Sequence, residues 1–229
     1  MKKSIWVALA AGAVLTIATA GYLPSAAAQK AALSTAGAVI TLKGTETQTS
    51  PTVKISEGVY IVRRVAGEGF MSVTVKDPAD NILHTAVFNN PNGTYLLIVD
   101  SNPLKPGDVL FEITGLGAWT VTVTKAEGSA AVALPQVLSG AEMTDAVSQP
   151  FKAAAGNLVM SYTYKSKPKG TGTLTICDVV TGKTLPMQEM MYAGKISGGW
   201  NVPVPVAGVY IASVSFPLAS GGGEVKLSQ

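Results

Sequence analysis

From residue 58 onward, apolar and polar residues alternate with a period of two along most of the chain. The 3.6-residue spacing of an amphipathic helix is almost nowhere. The segments "GVYIVRRV", "FMSVTVKD", "NILHTAVF", "TYLLIVD", "DVLFEITG" and "AWTVTVTK" are rich in Val, Ile, Thr and aromatics, which suit a pleated, half-buried surface. Between them stand "DPADN", "NNPNG", "SNPLKPGD" and "ITGLG". These are turn sequences with a mechanism, since proline presets φ and Asn-Gly accepts left-handed backbone. "NNPNG" in particular predicts a hairpin. Beyond the apolar N-terminal run, only "SAAAQKAALSTAGA" suits a helix, and it suits a flexible lead-in equally. The pattern predicts an all-β protein.

The pattern also runs twice. Gly44 and Glu46 match Gly140 and Glu142 at an offset of 96, and Lys54 and Gly58 match Lys152 and Gly156 at 98. Val73, Val75 and Asp77 match Leu174, Ile176 and Asp178 at 101, as Gly107 matches Gly208. Val121 and Val123 match Val225 and Leu227 at 104. The offset drifts in one direction and changes within turns, where insertions are tolerated. Two tandem antiparallel β-sandwich domains, of jelly-roll or Ig-like type, are therefore expected at residues 38–126 and 136–229. Residues 127–135 form the expected linker, with few contacts crossing it and proteolytic nicking between Gly128 and Pro135. Trp119 is expected in the core of the first copy. In the second copy its place is taken by Gly223, and Trp200 appears instead.

Residues 1–28 carry two lysines, a long apolar run and the exit "AAA", which is the three-part layout of a signal peptide. Cleavage before Gln29 is expected, with residues 29–37 as a flexible lead-in and no stable membrane insertion afterwards. The alanine-rich apolar run behind Lys2 and Lys3 looks bacterial, so the expected destination is the periplasm or the cell exterior. Cleavage also changes the charge. Lys2 and Lys3 leave and no acid does, so 17 basic residues become 15 against 14 acidic. No clustered basic face remains for nucleic acid. The local cluster Lys165, Lys167 and Lys169 reads as a solvated hairpin end.

The first copy, with "GTETQTSPTVKISEGVYIV", "PGDVLFEI" and "GAWTVTV", resembles the small exported bacterial β-sandwich modules of the pre-peptidase C-terminal type. The second copy shares the outline. That resemblance implies a mostly non-catalytic accessory role.

The chemistry-bearing residues are few. His84 is the single histidine, so any Ser-His-Asp or Cys-His site would be built on it; within a strand it reads as a structural residue. Cys177 is the single cysteine and reads as a half-buried inert thiol. Asp77, Asp80 and Asn81 offer hard oxygens for Ca²⁺ but read first as a proline-containing turn. Asn92 fits a glycosylation sequon inside its Asn-Gly turn. No reaction motif is present, and no cofactor is expected. Three functions follow. The first is an exported non-enzymatic binding or structural module of the cell envelope, meeting a protein partner. The second is glycan binding on Trp119 and Trp200, if exposed. The third is periplasmic Cu(I) binding at Met187, Met190 and Met191, with Met143 and Met160 elsewhere.

Overall fold

The computed structural model describes residues 40–65, 68–88, 92–100, 104–185, 188–190 and 196–229. The expected signal peptide and lead-in lie outside them. The described residues form an all-β structure, as the period-two pattern predicts.

The first half contains β1 (Ile40–Gly44), β2 (Gln48–Thr49), β3 (Val53–Ile55), β4 (Gly58–Val65), β5 (Glu68–Lys76), β6 (Ile82–Phe88), β7 (Thr94–Val99), β8 (Gly107–Leu116) and β9 (Trp119–Lys125). The second contains β10 (Gln136–Gly140), β11 (Asp145–Val147), β12 (Phe151–Ala153), β13 (Gly156–Tyr164), β14 (Gly172–Asp178), β15 (Gln188–Met190), β16 (Ser197–Val204), β17 (Gly208–Ser215) and β18 (Gly223–Ser228). One sheet of the first half runs β1-β9-β4-β7; the other runs β2-β8-β5-β6, with β3 also on β8. The second half repeats this order as β10-β18-β13-β16 and β11-β17-β14-β15, with β12 also on β17. With β2 and β3 counted as one broken strand, each half has the two four-stranded sheets of a jelly roll. Of the two sandwich types the pattern allowed, the order selects this one.

The strand break is built the same way in both halves. Ser50 and Ser148 are buried polar residues, each followed within two positions by a proline. The Phe111 amide donates to Ser50 Oγ at 2.9 Å while the Ser50 amide donates to Phe111 O at 2.8 Å. The Ala212 amide and Ser148 repeat this exchange at 2.9 Å in each direction. A hydroxyl replaces the partner that the interrupted strand cannot supply. The ends of β5 and β14 also match. Asp77 Oδ1 accepts from the Ala79 and Asn81 amides, and Asp178 Oδ1 from those of Val180 and Thr181.

Each sandwich fills its own interior. In the first, Ile40, Leu42, Tyr60, Val62, Met71, Val73, Phe111, Ile113 and Trp119 are among the buried residues. In the second, Phe151, Leu158, Met160, Tyr162, Ile176, Val214, Val225 and Leu227 play that part. Trp119 lies over Gly44, its cross-strand partner, where a Cβ would come within 2.8 Å of the indole. In the second half Gly223 pairs with Gly140, and Phe216 fills the space above Gly140 instead, 2.7 Å from where a Cβ would be. An aromatic from β9 has thus been exchanged for one that follows β17.

A third buried cluster joins the halves. Val59 and Leu96 on β4 and β7, together with Ala126, meet Cys177, Val179 and Ile211 from β14, its following turn and β17. Ile61, Ile98, Val147 and Val209 close its margin. The outer face of one sheet therefore packs on the outer face of another, and the four sheets stack as layers. The approach is close enough to require glycine. Gly58 has φ +126°, and a Cβ there would lie 2.9 Å from Val179 O. The halves thus meet through a small buried apolar seam. The linker itself is bonded: after a 3₁₀ turn at Gly128–Ala130, the Val132 amide donates to Pro150 O at 2.8 Å and its carbonyl accepts from Lys152 at 3.1 Å. Nicking between Gly128 and Pro135 requires this segment to detach first.

The inter-strand connections need one correction. "NNPNG", of which Asn89, Asn90 and Pro91 lie outside the described residues, does not join a pair of hydrogen-bonded strands, because β6 and β7 belong to different sheets. The same holds for Lys165, Lys167 and Lys169, which stand exposed on the crossing from β13 to β14.

Candidate functional site

Among the described residues, those singled out by sequence do not assemble into one site. Trp119 is 2% exposed in the first core, so it offers no face to a sugar ring. Its indole reads as a stacking platform in isolation, but its alternation with Val121 and Val123 places it inside. Trp200 is half-buried and meets Tyr162 edge-on at 5.8 Å. Both indole N–H groups are buried with no hydrogen-bond partner among the described residues. Met187 and Met191 lie outside the described residues, while Met190 ends β15. Met160 is fully buried and Met143 is exposed.

Cys177 is not half-buried but fully buried, in the seam between the halves. Burial, with smaller effects from Asp100 and Asp178, pushes its thiol up to about 12. The thiol is therefore protonated and inert. The Asp77 carboxylate is consumed by its own turn: Oδ1 accepts two amides and Oδ2 accepts from Asn81 Nδ2 at 2.7 Å. Asp80 turns aside to Lys76 Nζ at 3.0 Å, which also pairs with Glu112 at 2.9 Å. Asn92 is exposed at the start of the approach to β7.

His84 is a structural residue with a named partner. Its ring stacks on Tyr95 at 5.5 Å, and its Nε2 pairs with the Tyr95 hydroxyl at 2.6 Å. The pair joins β6 to β7, the edge strands of the two sheets of the first sandwich. Burial, and then the charge of Asp145, pushes the Tyr95 hydroxyl up to about 12. Burial pushes the His84 imidazole below its ordinary value near 6.5. The unfolded chain therefore takes up this proton first, and stability is lost as pH falls from about 6.5 through the folded-state value. Urea midpoints should be lower near pH 5 than near pH 7.5, and His84→Gln should shrink that difference. Equal pH slopes for the two proteins would contradict this account of His84.

The site lies where sequence gave no signal. A cleft of about 290 Å³ opens at the junction of the two jelly rolls. β6 and the approach to β7 contribute Val87, Phe88, Gly93 and Thr94. The second half contributes Met143, Thr144, Asp145, Thr171, Ser215 and Leu218, among others. Asp145 and Ser215 are direct cross-strand partners on β11 and β17, so their side chains share a face. Asp145 is exposed, on the wall of a partly enclosed cleft. Desolvation pushes its carboxyl above the ordinary carboxylate range, partly offset by a hydrogen bond to Ser215. The rim is apolar, with Val87, Met143 and Leu218 all about half exposed. Met143 holds φ +57°, a backbone that costs an L-residue of order 1 kcal/mol. In the sequence, Asp145 is one acid among fourteen, in "MTDAVSQP", and only the packing of the halves gives it a role.

Sequence reading also passed over Arg64. Its side chain is fully buried in the first sandwich, and its Nη1 donates to Gly69 O at 2.8 Å and Phe88 O at 3.2 Å. Burial lowers its pKa. A guanidinium that ties β4 to the ends of β5 and β6 is a structural device, supplying donors to carbonyls the sheets leave over.

No protein-family model and no curated protein matches this chain. Among solved structures it is similar to a candidate secreted protein of Parabacteroides distasonis at 10% identity, over 87% of this chain and 91% of that one, with a TM-score of 0.21. It is also similar to the Penaeus vannamei nodavirus structure at 13% identity, over 77% and 80% of the two chains, with a TM-score of 0.21. Bacillus subtilis oxalate decarboxylase follows at 8% identity, over 83% and 72%, with a TM-score of 0.18. At such scores these likenesses carry no argument about this chain. No helix among the described residues is long and apolar enough to cross a membrane.

Proposed function

We propose that the chain is an exported, non-enzymatic binding module of the bacterial cell envelope, built by tandem duplication of one jelly roll, and that it receives a protein partner in the cleft between the copies. The observation that carries this reading is that both copies wall the cleft across a seam of buried apolar residues. A rigid junction holds a binding surface in one geometry, which lowers the entropy lost on association. The lead segment 1–28 supports export, and the resemblance to pre-peptidase C-terminal modules is in keeping with an accessory role. The single histidine engaged by Tyr95 and the single, buried cysteine leave little to build a nucleophilic site on.

The experiment uses the full-length chain in bacterial cells, with a photo-crosslinking residue at Leu218 on the cleft rim or at Lys152, an exposed residue outside the cleft lining. Adducts with envelope proteins are expected at position 218 and not at 152, on a protein whose first residue is Gln29. Adducts at neither position, or equally at both, would overturn the cleft as the binding site. A chain that retains Trp6 would overturn cleavage.

A further inference from the structure

We propose that the junction cleft takes a lysine side chain of the partner protein, with its ammonium on Asp145 and its carbon stem on Val87, Met143 and Leu218. This rests on the reading of the cleft as the binding site and names what it recognises. Among the described residues, no Lys, Arg or His lines the cleft and no ion pair involves Asp145. The nearby ionisable groups are the Tyr95 phenol and, bonded to it at 2.6 Å, the His84 imidazole, which burial holds below its ordinary value. Asp145 therefore presents a carboxylate to a half-enclosed space with no cation of its own, where an incoming charge meets less screening than at an open surface.

The surroundings favour ammonium over guanidinium. An ammonium is a compact charge that needs only one carboxylate oxygen, whereas a guanidinium fork takes both, and the Ser215 hydrogen bond already engages the Asp145 carboxyl. The cleft offers one carboxylate, hydrogen-bonded to Ser215, and the hydroxyl-bearing Thr144, Thr94 and Thr171 also line it. Thr144 Oγ1 donates to Ala141 O at 2.7 Å, which leaves its lone pairs free to accept. The half-exposed apolar rim matches the four-carbon stem of lysine, which buries its methylenes while its head stays polar. A glutamate would meet like charge, and an aliphatic side chain would leave the carboxylate without a counter-charge.

The test titrates the mature chain with an acetylated and amidated pentapeptide, Thr-Val-Lys-Val-Thr, following backbone amide shifts. Analogues carrying norleucine or glutamate at the centre, and n-butylammonium chloride alone, serve as comparisons. The lysine peptide is expected to shift amides at residues 143–145 and 215–218, and to bind roughly tenfold or more tightly than the norleucine analogue. Asp145→Asn, at a solvent-reached position, should keep the wild-type spectrum elsewhere and erase that difference. Equal binding of the lysine and norleucine peptides would overturn lysine recognition while leaving the cleft as a binding site. Butylammonium binding as tightly as the peptide would overturn a protein-borne source for the cation. Cleft amides that respond to none of the four probes would overturn both this proposal and the cleft reading beneath it.

Discussion

Trp119→Ala is expected to lower the stability of the whole chain by about 3–5 kcal/mol, not that of the first jelly roll alone. The indole is 2% exposed, lies over Gly44, and approaches Gly115 and Met71, so truncation leaves a cavity that two rigid sheets cannot collapse into. The independence expected from the sequence, with 136–229 surviving the loss of 38–126, meets an obstacle in the seam. Unfolding the first half strips Val59 and Leu96 from Cys177, Val179 and Ile211, exposing an apolar face on the second. Calorimetry and urea unfolding should therefore give one transition, moved as a unit. A variant with two resolved transitions, the upper one at the wild-type midpoint, would restore independence. Trp119→Phe should cost less than its lost volume suggests, because the indole N–H with no partner among the described residues goes too.

Val59→Asp is expected to part the two jelly rolls. Val59 is fully buried and points from β4 into the seam, away from the interior that Tyr60 and Val62 fill. A carboxylate there has no cation within the cluster and costs on the order of 3–5 kcal/mol if the seam stays shut. Opening the seam hydrates the charge and leaves each sandwich its own core. Cys177 reports the event, since it is the chain's single cysteine and is fully buried at this interface. In the wild type, thiol reagents should react only as fast as the seam opens. In Val59→Asp the reaction should accelerate by orders of magnitude while circular dichroism keeps its β signature. Unchanged thiol protection in a folded variant would mean that the seam accommodates the charge and is not the joint described here.

Much of the fold was legible because alternation reports a two-faced strand directly. Val121 and Val123 beside Trp119, and Val225 with Leu227, were read onto inner faces, where the structure has them. Matched positions such as Gly58 with Gly156 share a local geometry as well, at φ +126° and +132°. What alternation cannot report is which strands share a sheet. Turn chemistry at "NNPNG" announces a change of direction, but the same residues serve a hairpin and a crossing between sheets. Nor can it separate two kinds of buried face. Val59 and Ile61 look like the solvent side of β4, because nothing local tells a water-facing apolar residue from one covered by another domain. The cleft was illegible for the same reason. Asp145 and Val87 are 58 positions apart, and their meeting depends on how two finished sandwiches stack.

In each jelly roll the first strand bonds to the last: Ile40 with Val123 in one, Gln136 with Leu227 in the other. That arrangement has a kinetic consequence. Neither sheet can close until its final strand has been made, and the loop entropy must be met before the pairing returns anything. Chains dominated by such distant pairings fold in milliseconds to seconds, and synthesis proceeds at roughly 5–20 residues per second. Each copy is therefore expected to stay open in that sheet until its last strand is made, so the first can close while the second is still being synthesised.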